Sequence, residues 1–150
     1  MHPYSYNFSF RLRHSTQDLS SIFDKLSKLP GFIPKRIWKA DELRKTPEGQ
    51  ELEGSYTDSY CYFDFFNDPQ DSKEKDLSDA IKEVTDKLAL EKNILTEFGA
   101  SGGTSAFFIG WYLVANSGDI FSSELLQQLA DLKIGLEFDI YPPDNKENGN

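Results

Sequence analysis

Apolar and polar residues alternate strictly at the two ends of this chain, and this pattern limits the fold more than any other feature. The apolar series at the start is Tyr4, Tyr6, Phe8, Phe10 and Leu12, with Asn7, Ser9, Arg11 and Arg13 between its members. Near the other end, Ile134, Leu136, Phe138 and Ile140 alternate with Glu137, Asp139 and Tyr141. Alternation with a period of two is typical of strands that bury one face. We therefore expect a sheet that has one apolar and one polar side.

Helical spacing of apolar residues separates the predicted strands. Three stripes predict helices over 19–29, 77–88 and 125–132, and further strands are expected at 35–39, 56–65 and 104–114. The charged segment 67–76 shows no periodicity and predicts a loop. The resulting order, β-α-β-β-α-β-α-β, begins with the six elements of the ferredoxin-like βαββαβ motif. The predicted fold is α+β, with a ferredoxin-like core, an additional αβ unit, and a mainly antiparallel sheet with helices on one face.

The length of 150 residues and the 14% of aromatic side chains favour one folded domain. We expect the domain to cover residues 1–142 and a disordered polar tail to follow at 143–150, after the pair Pro142 and Pro143. The single cysteine, Cys61, excludes an intramolecular disulfide and a site built on several cysteines. The first residues lack the apolar core of a secretion signal, which predicts a cytoplasmic protein.

The charge is strongly negative and unevenly distributed. The net charge is −9, composed of +4 over residues 1–50 and −13 over residues 51–150. Such a charge attracts cationic partners and disfavours nucleic acid and anionic membranes. One basic stretch surrounds Trp38 and contains Lys35, Arg36, Lys39, Arg44 and Lys45. Because Asp41 and Glu42 interrupt this stretch, it does not change the expectation that the chain binds no nucleic acid.

The sequence offers no catalytic constellation. Residues 99–103 match the G-x-S-x-G pattern, but a nucleophile elbow needs a helix after the serine and a later histidine. Here a strand is predicted to follow, and the last histidine is His14. The acidic residues of the 67–76 segment lack the glycine and the spacing of a calcium loop. We therefore expect no catalytic residues, no cofactor and no metal site.

The polar side of the predicted sheet carries tyrosines and carboxylates, a combination that suits a protein interface. The alternation places these candidates on strands 56–65 and 134–141: Asp58, Tyr60, Tyr62, Asp64, Glu137, Asp139 and Tyr141. They form one interface only if both strands present these residues on the same side of one sheet.

Four segments resemble the bacterial domain-of-unknown-function family DUF4279. They are SFRLRHSTQDLSSIFDKL, FIPKRIWKAD, GGTSAFFIGW and FSSELLQQLADLKIGLEFDIYP, and the resemblance covers about residues 8–142. These are packing motifs rather than catalytic ones. The resemblance therefore implies a fold but no activity, cofactor or functional residue.

Three functions agree with these observations. The first is a small acidic protein-binding domain, in its most concrete form a cytoplasmic immunity-type inhibitor that masks a cationic bacterial toxin. The second is an enzyme or small-ligand-binding protein with a pocket near Arg11, Arg13, His14, Tyr60 and Asp64. The third is a regulatory or structural module. The sequence identifies neither the partner nor the oligomeric state nor the order of the strands.

Overall fold

The computed structural model of the chain describes residues 2–143. Most of the predicted tail, 144–150, lies outside the described residues. In chain order the elements are β1 (Tyr4–His14), α1 (Ser20–Ser27), β2 (Ile33–Trp38), β3 (Leu43–Lys45), β4 (Glu51–Ser55), β5 (Ser59–Asp64), β6 (Gln70–Asp71), α2 (Leu77–Leu88), α3 (Lys92–Ala100), β7 (Thr104–Leu113), α4 (Ser123–Asp131) and β8 (Ile134–Tyr141). A short 3-10 helix, Ala89–Glu91, joins α2 to α3.

The main sheet has the strand order β2-β5-β1-β7-β8, and β6 pairs with the beginning of β1. All of these pairs are antiparallel except β7 and β8, which are parallel and connected through α4. The strands β3 and β4 form a separate antiparallel hairpin. The predicted α+β class and the mainly antiparallel sheet are confirmed. The two strands with strict alternation take different places, since β1 is in the middle of the sheet and β8 is at its edge.

The core lies between the helices and one face of the sheet. The alternating apolar residues of β1 are buried as the sequence predicts, and they oppose apolar residues of β5 and β7 such as Phe63 and Phe107. The helical stripes are buried against them, including Leu26 of α1, Ile81 of α2 and Leu129 of α4. The opposite face of the sheet carries the polar residues of the same strands, and we call it the outer face.

Four elements, β3, β4, β6 and α3, were not predicted. The hairpin β3–β4 lies between the predicted strands 35–39 and 56–65, β6 lies within the predicted charged loop, and α3 occupies a stretch without an assignment. Every residue of β3 and β4 is exposed, so the hairpin has no buried side that could produce alternation. The helix α3 has only nine residues and buries two of them, Leu95 and Phe98.

The N-terminus of α2 is held by a residue that is distant in the chain. One oxygen of the Asp119 carboxylate accepts a hydrogen bond from the Ser78 backbone at 2.7 Å, and the other accepts one from the Ser78 hydroxyl at 2.8 Å. The Tyr4 hydroxyl donates to the same carboxylate at 3.2 Å and accepts from the Leu77 backbone at 3.0 Å. This carboxylate therefore connects β1, α2 and the loop before α4.

Buried acidic hydroxyl and thiol groups make the fold sensitive to alkaline pH. Burial raises the pKa of Tyr6 to about 12 and that of the Cys61 thiol to about 12, and it also raises the pKa of Tyr4. The unfolded chain releases these protons nearer pH 9 to 10. Since the unfolded state loses them first, stability is complete below that range and falls as the pH rises toward 12.

We expect the free energy of unfolding, measured by urea denaturation, to be clearly lower at pH 11 than at pH 8. In a Tyr6→Phe variant, the decrease between these two pH values should be smaller, because one of the groups that titrate has been removed. An unfolding free energy that stays constant from pH 8 to pH 11 would contradict the burial of these groups.

Candidate functional site

The strand pairing places polar and aromatic residues from five strands on the outer face. Asp64, Ser9, Phe108 and Glu137 oppose one another in a row across β5, β1, β7 and β8. Residues directly opposite on neighbouring strands lie on the same face of a sheet. Tyr60, Tyr62 and Asp64 of β5 therefore share the outer face with Glu137, Asp139 and Tyr141 of β8. Asp58, the seventh candidate, lies just before β5 rather than on it.

The seven candidates lie in two groups rather than one. The strands β1 and β7 separate β5 from β8, which places the two groups about 14 Å apart at the usual spacing between strands. In the group on β8, Glu137 and Tyr141 are exposed and Asp139 is half-buried, and Tyr141 stacks on Tyr112 of β7 with 4.9 Å between ring centroids. The Tyr141 hydroxyl donates a hydrogen bond to Asp139, and this contact raises the pKa of the tyrosine.

The group on β5 lies among arginines. Arg13 stacks over the Tyr60 ring at 4.6 Å, and its Nη1 donates to both carboxylate oxygens of Asp58 at 3.1 and 3.0 Å. Arg11 lies 3.8 Å from the centre of the Phe108 ring. Tyr60 is only 6% exposed under this cover, so the outer face is not open at this point. Burial raises the pKa of Tyr60, and the two arginines oppose this effect.

A groove lies between β2 and the hairpin β3–β4. Its centre is a stack of Trp38 and Tyr56, whose ring centroids are 4.4 Å apart with an angle of 9° between the planes. Arg36 lies 4.9 Å above the Trp38 ring and donates a hydrogen bond to the Lys45 carbonyl at 2.9 Å. The Tyr56 hydroxyl bonds the Lys45 backbone nitrogen and carbonyl at 3.0 and 3.1 Å. These contacts fix the hairpin to the sheet.

The stack divides this groove into two lobes, of about 530 and 570 Å³. Both lobes are lined by Arg36, Trp38, Lys45 and Tyr56. The sequence had indicated the basic stretch around Trp38 but not Tyr56, which comes from beyond the hairpin. The distribution of arginine is the signal that could have revealed the groove, because all four arginines of the chain lie between positions 11 and 44.

A family model described as a domain of unknown function, DUF4279, matches residues 5–143. The chain belongs to the DUF4279 family. The resemblance that the packing motifs indicated is thereby confirmed, and the matched segment contains both groups of the outer face as well as the groove. No curated protein matches the chain, and no solved structure matches it either.

One member of the predicted ligand pocket of this DUF4279 domain belongs to the core instead. His14 is buried on the face opposite to Arg11 and Arg13, as its position in the alternation of β1 requires. Its Nδ1 accepts hydrogen bonds from the backbones of Thr16 and Gln17, so its Nε2–H donates to the Ser101 carbonyl at 3.0 Å. His14 thus holds the loop after β1 in place through these hydrogen bonds. The prediction that His14 lines the ligand pocket is wrong.

The other members of that pocket do share the outer face of the DUF4279 domain. Asp64 is half-buried there, and burial raises its pKa against the opposing effect of Lys35 and Arg11.

Across residues 2–143, no group of three or more His, Cys, Asp or Glu side chains is arranged to hold a metal ion. Within the same residues, no helix is long and apolar enough to cross a membrane.

Proposed function

We propose that this DUF4279 domain is a protein-binding module rather than an enzyme, and that it binds its partner along β8. The observation that carries the proposal is the composition of this edge strand. Within the described residues β8 pairs only with β7, so one side of its backbone is free. Phe138 and Ile140 are 44% and 57% exposed on the face toward the helices, and Glu137 and Tyr141 are exposed on the outer face.

An edge strand of this kind can pair with a strand from another chain. A free row of backbone donors and acceptors pairs readily with an added strand, and natural proteins usually protect such an edge. Here Phe121 contacts Phe138 with 6.1 Å between ring centroids, and exposed Ile120 lies next to it in the chain. Grouped exposed apolar side chains are typical of protein-binding surfaces. A strand from a partner would cover Ile140 and Phe138 on one face.

The charge favours a basic partner. Glu137 and Asp139 lie on the outer face of β8, and the chain carries a net charge of −9. Negative charge along an interface accelerates encounter with a cationic protein. In its concrete form the proposal is a cytoplasmic immunity-type inhibitor that masks a basic bacterial toxin domain, with no nucleic acid or membrane as a partner.

The finer description of the fold also belongs to this proposal. We infer that β1, α1, β2, β5, α2 and β7 form a ferredoxin-like core, to which α4 and β8 are added. The support is the order β7-β1-β5-β2, in which each neighbouring pair is antiparallel. The added αβ unit creates the edge at which we place the partner.

The test is affinity capture from the host lysate with the complete chain and three variants. Ile140→Lys places a charge in the apolar part of the edge, and Glu137→Gln with Asp139→Asn removes its negative charge. Glu83→Gln with Asp86→Asn removes two carboxylates from α2 and serves as the matched control. We expect one basic protein to be retained by the original chain and by the control but lost from Ile140→Lys.

Association with that protein, measured by surface plasmon resonance, should be several-fold slower for Glu137→Gln with Asp139→Asn. The difference should be largest at low salt, because salt screens charges on the surface. Retention of the same protein by Ile140→Lys would contradict the proposal. Failure of the original chain to retain any basic protein would contradict it as well.

A further inference from the structure

The arginines of the chain are concentrated in one region. Arg11, Arg13, Arg36 and Arg44 are the only arginines among 150 residues, and the helices use lysine alone as their cation. Arg36 opposes Tyr62 on β5, which in turn opposes Arg11 on β1. Arg13, Arg36 and Arg44 line the same lobe of the groove beside the Trp38–Tyr56 stack. In proteins, arginine is the preferred residue for recognition of carboxylate and phosphate groups.

The cations of this lobe are largely free of carboxylate partners. Arg13 is paired with Asp58 at 3.0 Å. By contrast, Arg36, Arg44 and Lys45 make no ion pair within residues 2–143, although the chain has nine more acidic than basic side chains. Stacking on Trp38 and the hydrogen bond to the Lys45 carbonyl hold the Arg36 guanidinium in place. Such a fixed cation binds an anion with little loss of conformational freedom.

Apolar side chains also line this lobe, together with the polar residues Thr46, Ser55, Thr57 and Asp58. Tyr56, Pro47 and Leu52 line it, and Leu52 is 42% exposed. In addition, the indole Nε1 of Trp38 is buried and has no hydrogen-bond partner among the described residues. A buried donor without an acceptor lowers the stability of the fold.

We propose that this groove binds a small molecule that combines a planar ring with a carboxylate or phosphate group. The anionic group is bound by Arg36, Arg44 and Lys45, and the ring lies against Tyr56 and Leu52. The volume of each lobe, 530 and 570 Å³, is in the range of about 300–1,000 Å³ that is usual for small-molecule sites. This inference concerns a surface other than β8 and does not depend on the proposed function.

The geometry disfavours single-stranded nucleic acid as the ligand. Proteins of that class present free aromatic faces on which successive bases stack. Here Arg13 covers the Tyr60 ring, while Tyr56 and Arg36 both pack on the Trp38 ring. The cations are therefore arranged around single lobes rather than along a row of available rings.

The experiment is isothermal titration calorimetry of the complete chain with five probes. AMP and indole-3-acetate carry both a ring and an anion, adenosine carries the ring alone, inorganic phosphate carries the anion alone, and deca-glutamate represents an acidic peptide. We expect AMP or indole-3-acetate to bind at least tenfold more tightly than adenosine, phosphate and deca-glutamate. Binding of the better probe should weaken as the salt concentration increases.

Variants locate the site. Arg36→Gln should weaken binding at least tenfold, and Arg36→Lys should weaken it less, because the charge is retained while the planar fork is lost. Arg44→Gln, at an exposed position, provides a second variant if Arg36→Gln does not fold by circular dichroism. Lys92→Gln on α3 removes an equal charge from the helical side and should leave the affinity unchanged, as should Ile140→Lys.

Three results would overturn the proposal. The first is the absence of binding by both AMP and indole-3-acetate. The second is an affinity that neither Arg36→Gln nor Arg44→Gln changes. The third is tighter binding of phosphate alone, or of deca-glutamate, than of the ring-bearing anions, because this would assign the groove to a simple anion or to an acidic protein segment.

Discussion

Replacement of Phe63 by alanine is expected to lower the free energy of unfolding by about 3–5 kcal/mol. The Phe63 side chain is fully buried in the middle of β5 and opposes Phe10 of β1. Its ring lies 5.0 Å from that of Phe23 after the first turn of α1 and 5.7 Å from that of Phe32 before β2, measured between centroids. Truncation would therefore leave a cavity where two strands and a helix meet. Urea denaturation followed by circular dichroism measures the effect.

Tyr62→Ala is the matched control, since it removes a ring from the adjacent position of the same strand. Tyr62 is half-buried on the outer face, with its ring 5.8 Å from that of Tyr60. Its loss should therefore destabilise the protein much less than the loss of Phe63. Equal losses at the two positions would mean that the outer face is as thoroughly covered as the core, and the position of the groove would need revision.

The second large effect is expected at Asp119. Asp119→Ala should lower the free energy of unfolding by about 2–3 kcal/mol, because the carboxylate accepts several hydrogen bonds and its removal leaves their donors unpaired. The donors are the backbone and hydroxyl of Ser78, the Tyr4 hydroxyl and the Ile120 backbone. Its contact with the Ser78 backbone also places a negative charge at the N-terminus of α2, where the helix dipole favours it. Thermal and urea denaturation would measure the loss.

Asp76→Ala is the control for this prediction. Asp76 directly precedes α2, and its position in the sequence is that of an N-cap residue, yet its side chain makes no capping hydrogen bond. Its replacement should therefore cost far less than that of Asp119. If Asp76→Ala were as harmful as Asp119→Ala, the capping of α2 by a distant residue would be incorrect.

The sequence predicted those parts of the fold in which periodicity and burial coincide. The alternating residues of β1 and the stripe of α2 are buried where the spacing indicated. The hairpin β3–β4 was not predicted, because a strand that is exposed on both sides carries no alternation of apolar and polar residues. The capping of α2 by Asp119 was not predicted for a different reason. Asp119 acts 41 residues away from Ser78, and no local pattern encodes that distance.

The candidate site was predictable to a similar extent. Alternation grouped Tyr62 with Asp64 within β5 and Glu137 with Asp139 within β8, because the side-chain period of a strand is two. Only the pairing of the strands shows that the two groups share a face. The same rule excludes His14 from the face of Arg13, since the two residues are adjacent on β1. What alternation does not give is the order of the strands. That order separates β5 from β8 and brings Tyr56 onto Trp38, and it depends on pairings between distant segments.

The position of β1 has a consequence for how the chain acquires its fold during synthesis. This first strand lies in the middle of the sheet, and Tyr4 pairs with Leu113, near the end of β7. While the ribosome makes the intervening residues, one side of β1 has no partner to cover it. Pairings over such sequence distances form slowly because a long loop must close first. We therefore expect the nascent chain to remain without its final structure until β7 has emerged, and to be most prone to aggregation in that interval.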